Sequence, residues 1–212
     1  MTAGEALAAG AAALGLDLDD AIRAKLLDYL TQLEKWNRTH NLTAARSRER
    51  MLSHHLLDSL AVLPQLPARS GMRLIDVGSG GGLPGIPLAI TRPDWHITLL
   101  DSNQKKSAFL RQAAAELKWA NAEVVTARAE AYVPDKPFDV AIARALSELA
   151  RFVKLAAHLV GEGGWLLAMK GSYPEAEIAV LPPGVRVVAV PRLRAPGIEG
   201  ERHLVILEKH PG

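Results

Sequence analysis

The sequence predicts an α/β fold: a Rossmann-like, mostly parallel seven-stranded sheet with an antiparallel last strand, preceded by a small N-terminal helical region. Three observations predict it. The apolar run Met72-Arg73-Leu74-Ile75 opens into a turn reading D-V-G-S-G-G-G-L-P-G from Asp76 to Gly85. From Gly71 onward, strand-like and helix-like segments alternate, the pattern of a parallel sheet covered by helices. Only Pro191 to Arg202, with two prolines and two glycines, joins the last two strand candidates. That is too little chain for a right-handed helical crossover, so the final pair should be antiparallel.

The elements follow in order. Met1 to Leu16 is rich in alanine and glycine and reads as a helix preceded by a loose end. Asp19 to Trp36 places Ile22, Leu26, Leu27, Leu30 and Leu33 at helical spacing, an amphipathic helix with one buried face. A second such helix runs from about Arg46 to Leu63 with Met51, Leu52, Leu56, Leu60 and Leu63, and Pro64 and Pro67 break it. The helical region is therefore residues 1–70 and the sheet domain residues 71–212. Strands are expected at Met72–Val77, His96–Asp101, Glu123–Thr126, Phe138–Ala143, Gly164–Met169, Val185–Val190 and His203–Glu208. Helices are expected at Gly85–Ile90, Lys105–Leu117 and Leu146–Leu159, with a short crossover around Ala129–Tyr132.

Composition narrows the function classes. The 212 residues are 49% hydrophobic and 23% charged, ordinary for a globular protein. With no cysteine there is no disulfide, no thiolate nucleophile and no cysteine-based zinc site, and no metal is expected. The N-terminus lacks a basic segment and Glu5 interrupts it, so a secretory signal is not expected. No apolar run approaches the roughly 20 residues of a membrane span. The expectation is a cytoplasmic monomer without a membrane partner. Basic residues cluster at Arg38, Arg46, Arg48 and Arg50 with His40, His54 and His55, at Lys105, Lys106 and Arg111, and at Arg192 and Arg194. Such clusters can track a phosphate backbone, and solvated surface is the competing reading.

The turn at Gly78 to Gly82 holds four glycines in five positions. Without a Cβ, the main chain can take left-handed angles and lie directly against a ligand. A nucleotide-binding turn is the reading, and its nucleotide decides the function. A dinucleotide fingerprint starting at Gly78 fails because Leu83 stands at its third glycine, and the match at Gly80, Gly82 and Gly85 comes late and contains Pro84. Tyr132 and Lys136 have the spacing of a dehydrogenase pair, yet Pro134 between them forbids the helical turn. An S-adenosylmethionine site needs an acid ending the first strand, a glycine loop and an acid ending the second; Asp76, the loop and Asp101 supply them. The residues thus favour a methyltransferase. A nicotinamide-dependent oxidoreductase and a non-catalytic RNA-binding module remain the alternatives.

At this point the chain resembles a specific family. The run D-V-G-S-G-G-G-L-P-G-I-P-L-A-I from Asp76 to Ile90 is similar to that of the bacterial small-subunit (16S) ribosomal RNA guanine-N7 methyltransferases, long called glucose-inhibited division protein B. Supporting matches are Trp36-Asn37 with Asn41-Leu42-Thr43, and the run His54 to Ser59. Later matches are Leu100-Asp101-Ser102 with Lys105-Lys106, Ala143-Arg144-Ala145, Lys170-Gly171, and Gly200 to Val205. The resemblance implies transfer of a methyl group from S-adenosyl-L-methionine to N7 of one guanine in 16S rRNA, with the rRNA or the small ribosomal subunit as partner. That chemistry suits the residues. Guanine N7 has an in-plane lone pair, so no general base is obligatory and alignment can carry the reaction. The amino-group methyltransferase motif Asn/Asp-Pro-Pro-Tyr is absent after the fourth strand, where Ala143-Arg144-Ala145 stands instead.

Candidate residues follow. Arg144, at the carboxyl edge where open α/β sheets bind ligands, is the candidate catalytic residue and could hold guanine O6, a phosphate or the cofactor carboxylate; pairing to a nearby acid is the alternative. Asp76, Gly78, Gly80, Leu83, Asp101, Ala129 and Glu130 are the further cofactor candidates, with Gly78 and Leu83 bounding the pocket, Asp101 on a ribose, and the Ala129-Glu130 pair placed at the adenine by the resemblance. RNA candidates are Arg46, Arg48, His54, Lys170, Arg192 and Arg194; His55 joins His54, and a packing role competes for both.

Overall fold

The computed structural model describes residues 1–145 and 148–211. Its frame is a seven-stranded sheet in the order β3-β2-β1-β4-β5-β7-β6. The strands are β1 (Arg73–Val77), β2 (His96–Leu100), β3 (Ala122–Val125), β4 (Phe138–Arg144), β5 (Val160–Lys170), β6 (Val185–Ala189) and β7 (His203–Lys209). Strands β1 to β5 run parallel, whereas β7 lies between β5 and β6 and is antiparallel to both. The short link before β7 thus has the consequence expected of it. Strand order reverses between β1 and β4, and the carboxyl ends of those two strands border the crevice where such sheets bind ligands.

Period-two alternation divides the sheet residues between two cores. Leu74, Val140, Ile142, Leu167, Leu204 and Ile206 face one side, and Ile75, Ala141, Ala143, Leu166, Val205 and Leu207 the other. The second side is covered by α7 (Leu149–Ala156), which buries Leu149, Phe152, Val153 and Ala156. The first side is covered by α5 (Gly85–Thr91) and α6 (Gln104–Glu116), and the N-terminal helices pack into that same core. Leu146, where the α7 region was expected to start, lies outside the described residues.

The N-terminal region begins with α1 (Ala3–Ala13), whose first turn is closed by a Thr2–Glu5 capping box. Helix α2 (Asp20–His40) starts on the Asp19 side chain and ends on Asn41, which adopts a left-handed φ of 50°. The Asn37 side chain then holds the following turn, accepting from Thr43 N at 2.8 Å and donating to Ala45 O at 3.2 Å. The expected helix over Arg46–Leu63 is broken into three. A turn of α-helix, α3 (Arg48–Met51), passes through a π-helical stretch, Leu52–Leu57, into α4 (Asp58–Leu60). Residues 55–62 are buried on every side, so this stretch runs through the core and not along its surface. Apolar spacing alone does not distinguish a π turn from an α turn, and π turns concentrate at functional sites.

Candidate functional site

The glycine turn after β1 is held by two carboxylates. Asp76 is fully buried, and its Oδ2 accepts from Ser79 Oγ and from Gly85 N, both at 2.8 Å. Burial raises its pKa to about 6 against the opposing pull of those two hydrogen bonds, and its Oδ1 is buried without a partner. Asp101, at the end of β2, accepts from Gly80 N through Oδ2 and from Asn103 N through Oδ1, both at 2.8 Å. Asp76 therefore ties the start of α5 to β1, and Asp101 ties the loop tip to β2. A third brace comes from the helical region: the buried Tyr29 hydroxyl of α2 donates to Gly81 O at 2.6 Å. Gly78 and Gly80 take φ values of 73° and 60°, and a Cβ at Gly78 would meet nothing within 4 Å, so the main chain there faces open space.

That space is a cavity of about 180 Å³ lined by Gly78, Asp101, Ser102, Ala129, Glu130, Arg128 and Arg151, among others. Four of the residues singled out in the sequence (Gly78, Asp101, Ala129 and Glu130) meet here although up to 52 residues separate them along the chain. The donor set suits an adenosine: exposed glycine backbone for close approach, an acid at the sugar position, and an acid with main-chain groups at the far wall. The Leu83 side chain is buried in the core, and its main chain closes the glycine turn, with Leu83 N donating to Ser79 O at 3.1 Å.

The second half of the site is built around Arg144 at the carboxyl end of β4. Its Nη1 donates to His54 O at 2.9 Å and lies 3.4 Å from His55 Nδ1 and 3.5 Å from Asp58 Oδ2. Asp58 is buried and also faces Arg202, whose Nε lies 3.4 Å from Oδ1 but is not aligned for a hydrogen bond. Burial raises the Asp58 pKa, while the two guanidiniums oppose that rise. One carboxylate at the start of α4 thus joins an arginine from β4 to one just before β7. His55 is buried, and desolvation with the nearby Arg144 charge lowers its pKa to about 4, so it is neutral at physiological pH. Its Nε2 meets the Thr43 hydroxyl, making it a strut behind Arg144.

Arg48, Arg50 and His54 line a cavity of about 680 Å³ together with Pro196 and Gly197, so the N-terminal arginines meet the loop that carries Arg192 and Arg194. Arg46, Arg50, Arg192 and Arg194 are exposed. Arg46 donates to Asn41 Oδ1 at 3.2 Å, and Arg192 stands 3.9 Å from Glu201. Among the described residues no helix is long and apolar enough to cross a membrane.

A family model described as rRNA small subunit methyltransferase G matches residues 22–205. The chain belongs to this family. Proteins named ribosomal RNA small subunit methyltransferase G from Laribacter hongkongensis and Neisseria gonorrhoeae are each 54% identical, over 96% and 97% of this chain and 97% and 98% of their own lengths. Its counterpart from Burkholderia ambifaria is 54% identical over 92% of this chain and 88% of its own. An S-adenosylmethionine-dependent methyltransferase from Aquifex aeolicus shares the fold with a TM-score of 0.60, at 19% identity, covering 84% of this chain and 97% of that one. TrmN from Thermus thermophilus shares it at 0.57 and 21% identity, covering 74% and 53%.

Several residues of this chain differ from their sequence expectation. Lys170 is not an open phosphate contact: its ammonium meets both Glu177 carboxylate oxygens at 2.7 and 2.8 Å. Arg48 is held by Glu34 at 3.1 Å and Thr31 at 3.2 Å. His55 points into the core and only His54 reaches a cavity wall. Sequence reasoning missed Tyr29, Asp58, Arg151 and Arg202. Asp58 had a visible signal, since it is the one charged residue in the mostly apolar stretch Leu56 to Leu63. Tyr29 and Arg151 had none, because their importance comes from contacts made across the fold.

Proposed function

We propose that the chain transfers a methyl group from S-adenosyl-L-methionine to N7 of a specific guanine in 16S rRNA. The observation that carries this reading is the placement of Arg144 on the same sheet edge as the glycine turn and its cavity of about 180 Å³, in a chain of this family. When bound against the glycine turn and Asp101, S-adenosylmethionine would supply an electrophilic sulfonium methyl for N7, its sulfur leaving with the bonding electron pair. No proton has to leave N7, which agrees with a site whose buried histidine is neutral and turned inward. The loop held by Asp76, Asp101 and Tyr29 fixes the cofactor's backbone contacts, so the reaction draws on alignment. Among the described residues, the hydrogen bonds and the ion pair of Arg144 run through one nitrogen, Nη1. Its remaining N–H groups are the donors for guanine O6, a phosphate or the cofactor carboxylate, which makes it the catalytic residue of this reading.

Residues 71–212 carry the cofactor chemistry in this proposal, and residues 1–70 brace the glycine loop and contribute phosphate contacts with Arg46 and His54, joined by Arg192 and Arg194. The enzyme acts as a cytoplasmic monomer on the rRNA, on the small subunit or on an intermediate of its assembly. Borohydride–aniline cleavage of 16S rRNA from cells with and without the gene tests the reading. One N7-methylguanine should vanish with the gene and return with the wild-type copy. The Arg144→Ala copy should restore methylation at least about a hundredfold more slowly, the scale of a lost alignment. Lysine should rescue poorly because one ammonium cannot reproduce a guanidinium fork. Identical cleavage patterns with and without the gene would overturn the assignment.

A further inference from the structure

Tyr173 stands apart from the other aromatic residues. All the tryptophans, tyrosines and phenylalanines lie among the described residues, and Tyr173 alone is exposed, at 52%. It also sits on the site edge. Arg144 at the end of β4 pairs with Met169 of β5, and the chain leaves β5 after Lys170 to reach Tyr173 on that same edge. Lys170 in turn is opposite His203 of β7, beside Arg202 and its partner Asp58.

The loop that carries Tyr173 is anchored at both ends. Glu177, in the short helix α8 (Glu175–Ile178), receives the Lys170 ammonium and also the first N–H of α7, Leu149 N, at 2.7 Å. The Tyr173 ring itself packs edge-on against the His203 ring, with centroids 5.6 Å apart and planes at 88°. A bulky aromatic held in place yet left half in water gains little for the fold from that exposure. Single-stranded RNA is the ligand class that uses such a surface, since every base offers a π-face to an aromatic ring.

We propose that Tyr173 is a stacking platform for an unpaired base flanking the target guanine in the substrate RNA, an inference that rests on the rRNA reading above. The target base must reach the edge at β1 and β4, where Arg144 and the glycine loop converge. Tyr173 stands in the loop just after β5, and β5 lies one strand spacing (about 5 Å) beyond β4, so its place suits a neighbouring nucleotide. The charged groups nearby fit this use: Arg202 and Arg144 lie on the same edge for phosphates, and of the two acids of α8, Glu177 is occupied by Lys170 and Leu149 N while Glu175 is exposed to solvent.

The test compares Tyr173→Ala and Tyr173→Phe with wild type. Methylation of small-subunit particles from cells lacking the gene is measured, with affinity for protein-free 16S rRNA and for S-adenosylmethionine. Loss of one base stack should raise KM for particles and weaken rRNA binding about five- to 150-fold in the alanine variant. The phenylalanine variant should stay near wild type, and S-adenosylmethionine affinity should be unchanged in both, which reports an intact fold. Wild-type behaviour of the alanine variant, or an equal defect in phenylalanine, would overturn the stacking role while leaving the rRNA reading in place. A defect on particles with none on protein-free rRNA would overturn it in favour of contact with a ribosomal protein. A wild-type enzyme inert on particles would overturn the rRNA reading and this inference with it.

Discussion

Two buried ionisable residues, Asp76 and His55, pull the stability of this protein in opposite directions as pH changes. Burial lifts Asp76 from 3.8 to about 6, so between those values the folded form holds more protons than the unfolded chain. Its contribution is present below the lower value and is lost as pH rises through the upper one. Burial and the Arg144 charge drop His55 from 6.5 to about 4, so the folded form holds fewer protons there. Its contribution is present above 6.5 and is lost as pH falls through about 4. The windows overlap, so these two contributions oppose each other across them. Relative to wild type, Asp76→Asn should tilt stability upward with rising pH in this window, and His55→Gln should tilt it downward. Each changes the slope by at most about 1.4 kcal/mol per pH unit, the value of one proton. Urea unfolding at several pH values checks this, and equal slopes in all three proteins would contradict it.

Among the elements, the glycine loop and helix α2 form one unit. Tyr29→Phe removes the hydroxyl that satisfies the buried Gly81 carbonyl and should cost about 1–3 kcal/mol of stability. The same change should weaken S-adenosylmethionine binding, because the loop loses its brace from behind. Gly80→Val acts differently. Its nearest non-neighbouring atom would be Gly78 O at 3.8 Å, but the φ of 60° suits glycine and a branched side chain obstructs the ligand's approach. S-adenosylmethionine affinity, expected in the micromolar range, should fall below detection in that variant. Titration calorimetry on both variants separates the brace from the contact surface. Undiminished affinity in Gly80→Val would place the cofactor elsewhere.

Across the whole molecule, residues from the two ends of the chain are brought to one face, and this determines how RNA binding should depend on salt. Arg48 is tied to Glu34 and drops out of the test, leaving Arg46 with Arg50, and Arg192 with Arg194. Each phosphate contact removed should flatten the slope of log affinity against log salt by about 0.7 for single-stranded RNA. Changing either arginine pair to glutamine should flatten it by up to about 1.4, and changing both pairs by up to about 2.8. S-adenosylmethionine affinity should not change. An unaltered slope would return these arginines to solvated surface. Asp58 shows why such a face is hard to read from sequence: a lone acid in an apolar run signals that something is there, but not that two arginines, 86 and 144 residues downstream, will meet it.

The sequence by itself determined what depends on local order. Apolar runs and their spacing set the strands and most helices, four glycines after Val77 marked the nucleotide turn, and the short Pro191–Arg202 link required the antiparallel end of the sheet. The tertiary structure decided everything that depends on which groups are neighbours. Lys170 is paired to Glu177 because that carboxylate lies within reach of it, and the Leu83 side chain turns into the core while its main chain stays in the glycine turn. His55 became a neutral strut because the π-helical turn carries it inward, out of water and beside Arg144. Periodicity reports which face of an element is buried, but the pairing of charges depends on distances of a few ångströms between segments far apart in the chain.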